Sequence, residues 1–123
     1  MEVCSMANFS KVNVSGNEKR TELHDKLSLT GAEVSINTLN MGESVPFVHY
    51  HKKNEEIYFI SAGHGKVIID GETVELTVGD WLRIAPVARR QFFAAEDSAL
   101  SYVCIQVKEN SLEGYTREDG VMA

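Results

Sequence analysis

Val48-His49-Tyr50-His51-Lys52-Lys53-Asn54-Glu55-Glu56 is the stretch on which the reading of this chain turns. On an extended segment alternate side chains share a face, so His49 and His51 point the same way and Tyr50 points to the other. A carboxylate follows within a few residues, past the polar break Lys52-Lys53-Asn54. Two imidazoles and one carboxylate that converge on a point form a facial set with open positions, the ligand set of non-haem iron and related divalent metals. Glu55 and Glu56 compete for the carboxylate role. Strand parity does not separate them, since Glu55 shares a face with Ile57 and Phe59 while Glu56 shares one with Tyr58 and Ile60.

Outward from this stretch the pattern is one of short strands. Val34 and Ile36 alternate with polar neighbours, which reads as a half-buried strand. Met41-Gly42-Glu43-Ser44 is a turn, and Pro46 restricts its neighbours to extended backbone, so Phe47–His51 is expected as a strand. Ile57–Ile60 is apolar throughout and is expected to be covered on both faces. Gly63-His64-Gly65 is expected to break the strand, with His64 a turn residue. Lys66–Ile69, Asp70-Gly71 and Thr73–Leu76 form a hairpin signal, an Asp-Gly turn between β-branched runs. Gly79-Asp80 is a further turn, and Trp81–Ile84, Gln91–Ala94 and Ala99–Val107 read as the remaining strands. Roughly eight short strands with little helix predict an all-β sandwich or small barrel.

The ends are less patterned. Residues 1–29 are expected to be a polar N-terminal arm, with a short strand over Phe9–Val14 and one helical turn, and His24 is expected to be exposed. Residues 30–107 are expected to be the barrel, and 108–123 a polar tail. Leu112, Tyr115 and Val121 of the tail either dock on the barrel or a partner or stay loose. A chain of 123 residues is one domain on the length prior and can bury a core without disulfide staples.

Twelve Lys and Arg against eighteen Asp and Glu give a net charge of −6. That balance argues against a general nucleic-acid binder and against adsorption to an anionic membrane. Cys4 and Cys104 lack metal-ligand spacing and are expected to be unpaired thiols of a reducing compartment. Met1–Ser10 has no cationic region leading into an apolar run, and no apolar stretch approaches the ~20 residues that span a bilayer. A cytoplasmic location is the resulting expectation.

Gly42, six residues, His49-Tyr50-His51, four residues, Glu56, six residues and Gly63 resemble the first signature motif of the cupins, with one extra residue after the opening glycine. The second motif begins at Gly79-Asp80. The resemblance implies an antiparallel jelly-roll β-barrel, usually dimeric, with a site in the barrel mouth. It implies His49, His51 and Glu56 as ligands of a divalent metal (Fe, Mn, Ni or Zn), and it selects Glu56 over Glu55, leaving Glu55 in solvent. The second motif departs from the family. Aligned without a gap, its histidine position falls on Arg90; shifted by one residue, it falls on Gln91, whose carbonyl oxygen is a weak ligand for hard cations. The family's asparagine is replaced by Ala94.

An inward Arg90 would either pair with Glu56, lower the pKa of nearby histidines and disfavour a metal, or leave the triad its metal and clamp an anionic substrate group with its planar fork. Tyr58, two residues beyond Glu56, would line the pocket and offer a phenol, or pack in the core. Trp81, Phe92 and Phe93 read as core or dimer-face aromatics. Two functions follow: a metal-dependent enzyme of dioxygenase, isomerase or lyase type acting on a small anionic molecule, or a non-catalytic small-molecule-binding barrel with a degenerate metal site.

Overall fold

A computed structural model describes residues 8–114 and 116–123. Cys4 and Tyr115, on which two of the sequence readings fall, lie outside the described residues. Seven strands run in order: β1 (Arg20–Glu22), β2 (Glu33–Leu39), β3 (Asn54–Ile69), β4 (Glu72–Thr77), β5 (Trp81–Ile84), β6 (Arg90–Ala94) and β7 (Leu100–Lys108). Two single-turn helices, α1 (His24–Leu27) and α2 (Thr116–Asp119), flank them.

Every strand pairing is antiparallel, and β3 organises the whole. Its first half pairs with β7 and β5, within a sheet that continues through β2 to β1. Its second half, from His64, pairs with β4 and β6 to make the facing sheet. A register shift between Ile60 and Ala62 marks the crossing from one sheet to the other. Bulges of this kind bend a strand and let it change sheets. The result is an all-β, antiparallel barrel, as the strand rhythm predicts, of the jelly-roll type that the cupin resemblance implies.

The 16-residue length of β3 corrects the expected break at Gly63-His64-Gly65. These glycines are where backbones crowd. A Cβ on Gly63 would stand 1.8 Å from the Ala99 carbonyl oxygen, and one on Gly65 would stand 2.2 Å from that of Phe93. Glycine inside a strand marks such close approach as readily as a turn. His64 therefore lies within β3, opposite Thr77, with its ring against Asp97 at 3.0 Å. The Asp70-Gly71 hairpin forms as expected, with both residues at positive φ.

Three further expectations are corrected. Residues 9–14 form no strand, and the N-terminal strand is Arg20–Glu22, opposite Ser35–Asn37. Phe47–His51 forms no strand: Phe47 lies in a bend and the segment carries a single bridge, His49 to Arg90, because only the backbone groups of His49 find partners on β6. Ile57 and Phe59 are half-exposed, since the outer face of their sheet has no covering layer among the described residues. Of the alternatives for the tail, packing of Leu112 and Val121 on the barrel is not found, both being exposed.

The barrel core is Tyr58, Ile60, Val67, Leu76, Ile84, Phe92, Ala94, Leu100, Tyr102 and Cys104. Phe92 stacks on Tyr102 at 4.8 Å and lies 4.4 Å from Tyr58, so three aromatic rings floor the open end of the lumen. The parity of β2 is opposite to that of an amphipathic strand on an apolar core: Ser35 and Asn37 are buried, while Val34 and Ile36 are half-exposed.

Candidate metal centre

Above the aromatic floor the lumen opens into a cavity of 530 Å³. His49 and His51 reach it from the segment before β3, held by His49 N–H to the Arg90 carbonyl (3.2 Å) and His51 N–H to the Pro86 carbonyl (2.8 Å). Glu56 enters from β3 and is 4% exposed. Its Oε2 stands 3.1 Å from His51 Nε2, and its Oε1 stands 4.0 Å from His49 Nε2. One ligand atom from each of the three residues lies within 4.8 Å of the others.

These separations fit an ion. Donors about 2.1 Å from a shared transition metal stand roughly 3–4 Å apart. The donor set also fits, being two imidazole nitrogens and one carboxylate oxygen with open sides toward the cavity. Burial, followed by weaker influences that include the nearby Arg90 charge, holds the His49 pKa below the usual imidazole range despite the opposing pull of Glu56. A neutral imidazole is the form that ligates.

Tyr58 stands both in the core and at the cavity wall. Its hydroxyl donates a 2.6 Å hydrogen bond to Glu56 Oε1. Burial drives its pKa far up, with Cys104 and Glu56 adding to the effect, so the phenol keeps its proton. Cys104, paired in register with Tyr58, lines the cavity, and burial lifts its thiol to about 12. It stays a neutral thiol.

Arg90 has the inward parity of β6, alternating with Phe92 and Ala94, and its side chain is 0% exposed. It lies behind Glu56 and is absent from the cavity wall. Nη2 donates to the Ala85 carbonyl at 2.7 Å, and Nη1 stands 3.4 Å from Glu56 Oε1. Of the two uses expected for an inward Arg90, pairing with Glu56 is therefore the one found; as a clamp on substrate it is cut off from the cavity. Gln91 does line the cavity, with its amide donating to the Val45 carbonyl at 2.7 Å.

Other side chains singled out in the sequence face outward, as expected of Glu55 and His24. Tyr50 is 49% exposed beneath the Arg89 guanidinium, away from core and cavity. Trp81 is 65% exposed against Phe59 on the outer face. Glu55 pairs with Arg83 at 2.6 Å on that same outside, and His24 is exposed. Sequence reasoning missed Arg20, Ser35 and Asn37, all of which line the cavity. Their signal was the polar parity of Ser35-Ile36-Asn37, which carries information only once the inner face is known to be wet.

A jelly-roll barrel with two histidines and a glutamate in its mouth defines a class, and the family comparison agrees. The cupin domain model matches residues 35–106, and the chain belongs to the cupins. A cupin protein from Bacteroides fragilis is 59% identical, with a TM-score of 0.92 over 96% of this chain and 99% of that one. A sugar phosphate isomerase of the cupin superfamily from Silicibacter pomeroyi is similar at 18% identity and a TM-score of 0.64, over 76% of this chain and 62% of that one. KdgF from Halomonas sp. is similar at 17% identity and a TM-score of 0.59, over 74% of this chain and 79% of that one. These two likenesses are of fold. No curated protein matches the chain. Among the described residues no helix is long and apolar enough to cross a membrane.

Proposed function

We propose that the chain is a metal-dependent cupin in which His49, His51 and Glu56 hold a divalent transition metal, Fe, Mn, Ni or Zn, and act on a small anionic molecule admitted to the cavity. The observation that carries the reading is the approach of His51 Nε2 and His49 Nε2 to the two oxygens of one buried carboxylate on a cavity wall. A bound ion would supply Lewis acidity at positions the protein leaves open, chemistry suited to isomerase, lyase or dioxygenase reactions.

The chain's own groups then have distinct tasks. Arg90 balances the charge of Glu56 from behind and aims it, a positioning role, since it does not touch the cavity. Tyr58 holds Oε1 by its hydrogen bond, leaving Oε2 toward His51. Groups behind a ligand orient it and tune its basicity. Gln91, at the cavity wall beside the position a fourth histidine would take, offers an amide to the ligand or a weak oxygen to the metal. Phe92 and the two tyrosine rings close the floor and limit water below the reacting groups.

One observation favours a second reading, a non-catalytic binding barrel with a degenerate site. Arg90 and His51 between them can satisfy Glu56 without any ion. Thermal melting with added metal separates the two, because a ligand that binds only the folded state raises the melting temperature. Mn(II) or Fe(II) should raise it, and a His49→Ala, His51→Ala pair should abolish the rise. No rise with any of the four metals supports the binding barrel.

The reading extends to a homodimer. Val34, Ile36, Ile57, Phe59, Val103 and Ile105 are half-exposed on one outer sheet face, in register across β2, β7 and β3, with Trp81 at its edge. Contiguous apolar faces on a small barrel mark interaction surfaces. Light scattering should give twice the chain mass, and Trp81→Glu should shift the population toward monomer.

A further inference from the structure

We infer that Arg20 is the anion-recognising residue of the cavity, and that the ligand carries a metal-chelating head at the triad and a singly charged carboxylate tail at Arg20. This deepens the metal reading above and rests on it, because the head requires the ion.

The cavity wall offers few cations. Arg90 is sealed behind Glu56, and Lys19, paired with Glu43, lacks the buried side-chain partner that Asn37 gives Arg20. Arg20 lines the cavity and stands on the same face of its strand as the inward residue opposite it, Asn37. Its Nη1 donates to Asn37 Oδ1 at 2.8 Å, and Asn37 Nδ2 in turn donates to Ser35 Oγ at 3.0 Å. Asn37 is 6% exposed and Ser35 2%. Two buried polar side chains on the lumen wall of a small barrel are costly unless hydrogen-bonded. Here they form a relay whose outer end is the Arg20 guanidinium at the cavity wall.

The fork already shows what it binds. Nη2 holds the Glu22 carboxylate at 3.0 Å, with both side chains more than half exposed. Exposed pairs of this kind are weak, so a ligand carboxylate can replace Glu22 while Asn37 keeps Nη1 oriented. A guanidinium has more N–H donors than these two partners use. The rim also carries Glu33 and Glu43, which disfavours a doubly charged phosphate over a carboxylate.

Register places Arg20 level with Ile60 through Asn37 and Tyr102, so its backbone stands three strands across and four residues along from Glu56. The Arg20 side chain covers part of that separation, and a ligand tail of a few carbons covers the rest.

The test is calorimetric titration of Mn(II)-loaded protein with pyruvate, which has a chelating head only, and with 2-oxoglutarate and 2-oxoadipate, which add a carboxylate tail. The wild type should bind the better of the tailed acids at least ~10-fold more tightly than pyruvate, as expected for a charge-assisted hydrogen-bonded pair. Arg20→Gln, which keeps a hydrogen-bonding side chain beside Asn37 without charge, should bring that ratio near one and leave pyruvate binding unchanged. Arg20→Lys should restore part of the ratio, and Arg83→Gln on the outer face should match the wild type. A ratio unchanged in Arg20→Gln, equal weakening of pyruvate, or binding of no probe by Mn(II)-loaded protein overturns the inference and leaves the metal reading standing. Tighter binding of 3-phosphohydroxypyruvate than of either tailed acid overturns the carboxylate assignment. A chain that takes up no Mn(II) fails the metal reading itself, and this inference with it.

Discussion

Strand β3 crosses two regions of unlike chemistry in one lumen. Toward the mouth its inward residue is Glu56, beside His49, His51 and the Ser35–Asn37 wall; past Tyr58 the inward residues are Ile60 and Val67, fully buried in the core with Leu100 and Leu76. The deep end is ordinary close-packed core, which stabilises the fold. The mouth end buries charge and polar groups that a fold built only for stability would replace by apolar ones. Tyr58 belongs to both regions, ring in the core and hydroxyl on Glu56. The apolar end makes the barrel rigid, so the polar end can hold ligands at set positions.

The largest effect expected comes from uncoupling the charges at the mouth. Glu56→Ala leaves Arg90 buried without its carboxylate and should cost about 3–5 kcal/mol in denaturant unfolding. Adding Arg90→Met should recover most of that loss without restoring metal binding. Stability that does not return in the double variant would mean that the pair is not the unit described here.

At the deep end, Ile60→Ala should cost about 2–5 kcal/mol through a cavity in packed core. Metal affinity of the folded fraction, measured by equilibrium dialysis, should not change. A loss of affinity there would break the separation between the two regions.

Tyr58→Phe tests the residue that joins them. The ring still fills the core, so stability should fall by only ~1 kcal/mol for the lost hydrogen bond. Metal affinity should fall ~10-fold as Glu56 loses its orienting partner. Outside the barrel, Arg83→Gln removes exposed pairs with Glu55 and Glu109 and should move neither melting nor metal binding measurably.

Which parts of this were legible in the sequence follows the same division. The His-x-His and Glu56 could be read because motif spacing is local, and the Asp70-Gly71 hairpin because its turn chemistry is local. The roles of Gly63 and Gly65 could not, since the carbonyls that crowd them belong to Ala99 and Phe93, some thirty residues away. Ser35 and Asn37 were misleading for a related reason: polar alternation is normally the wet outer face, and here the wet face is inside. Arg20 lay in a stretch without periodicity, and only its pairing with β2 brings it to the cavity. The position of Arg90 was legible from motif spacing, but its confinement behind Glu56 was not, because confinement depends on packing from several strands.

The account stands on one ion shared by His49, His51 and Glu56. Anomalous diffraction from crystals of the protein grown with Mn(II) tests it directly. The prediction is a single strong peak in the barrel mouth, about 2.0–2.2 Å from both Nε2 atoms and from a Glu56 oxygen. No peak there, with His51 and Arg90 still sharing the Glu56 carboxylate, would contradict it.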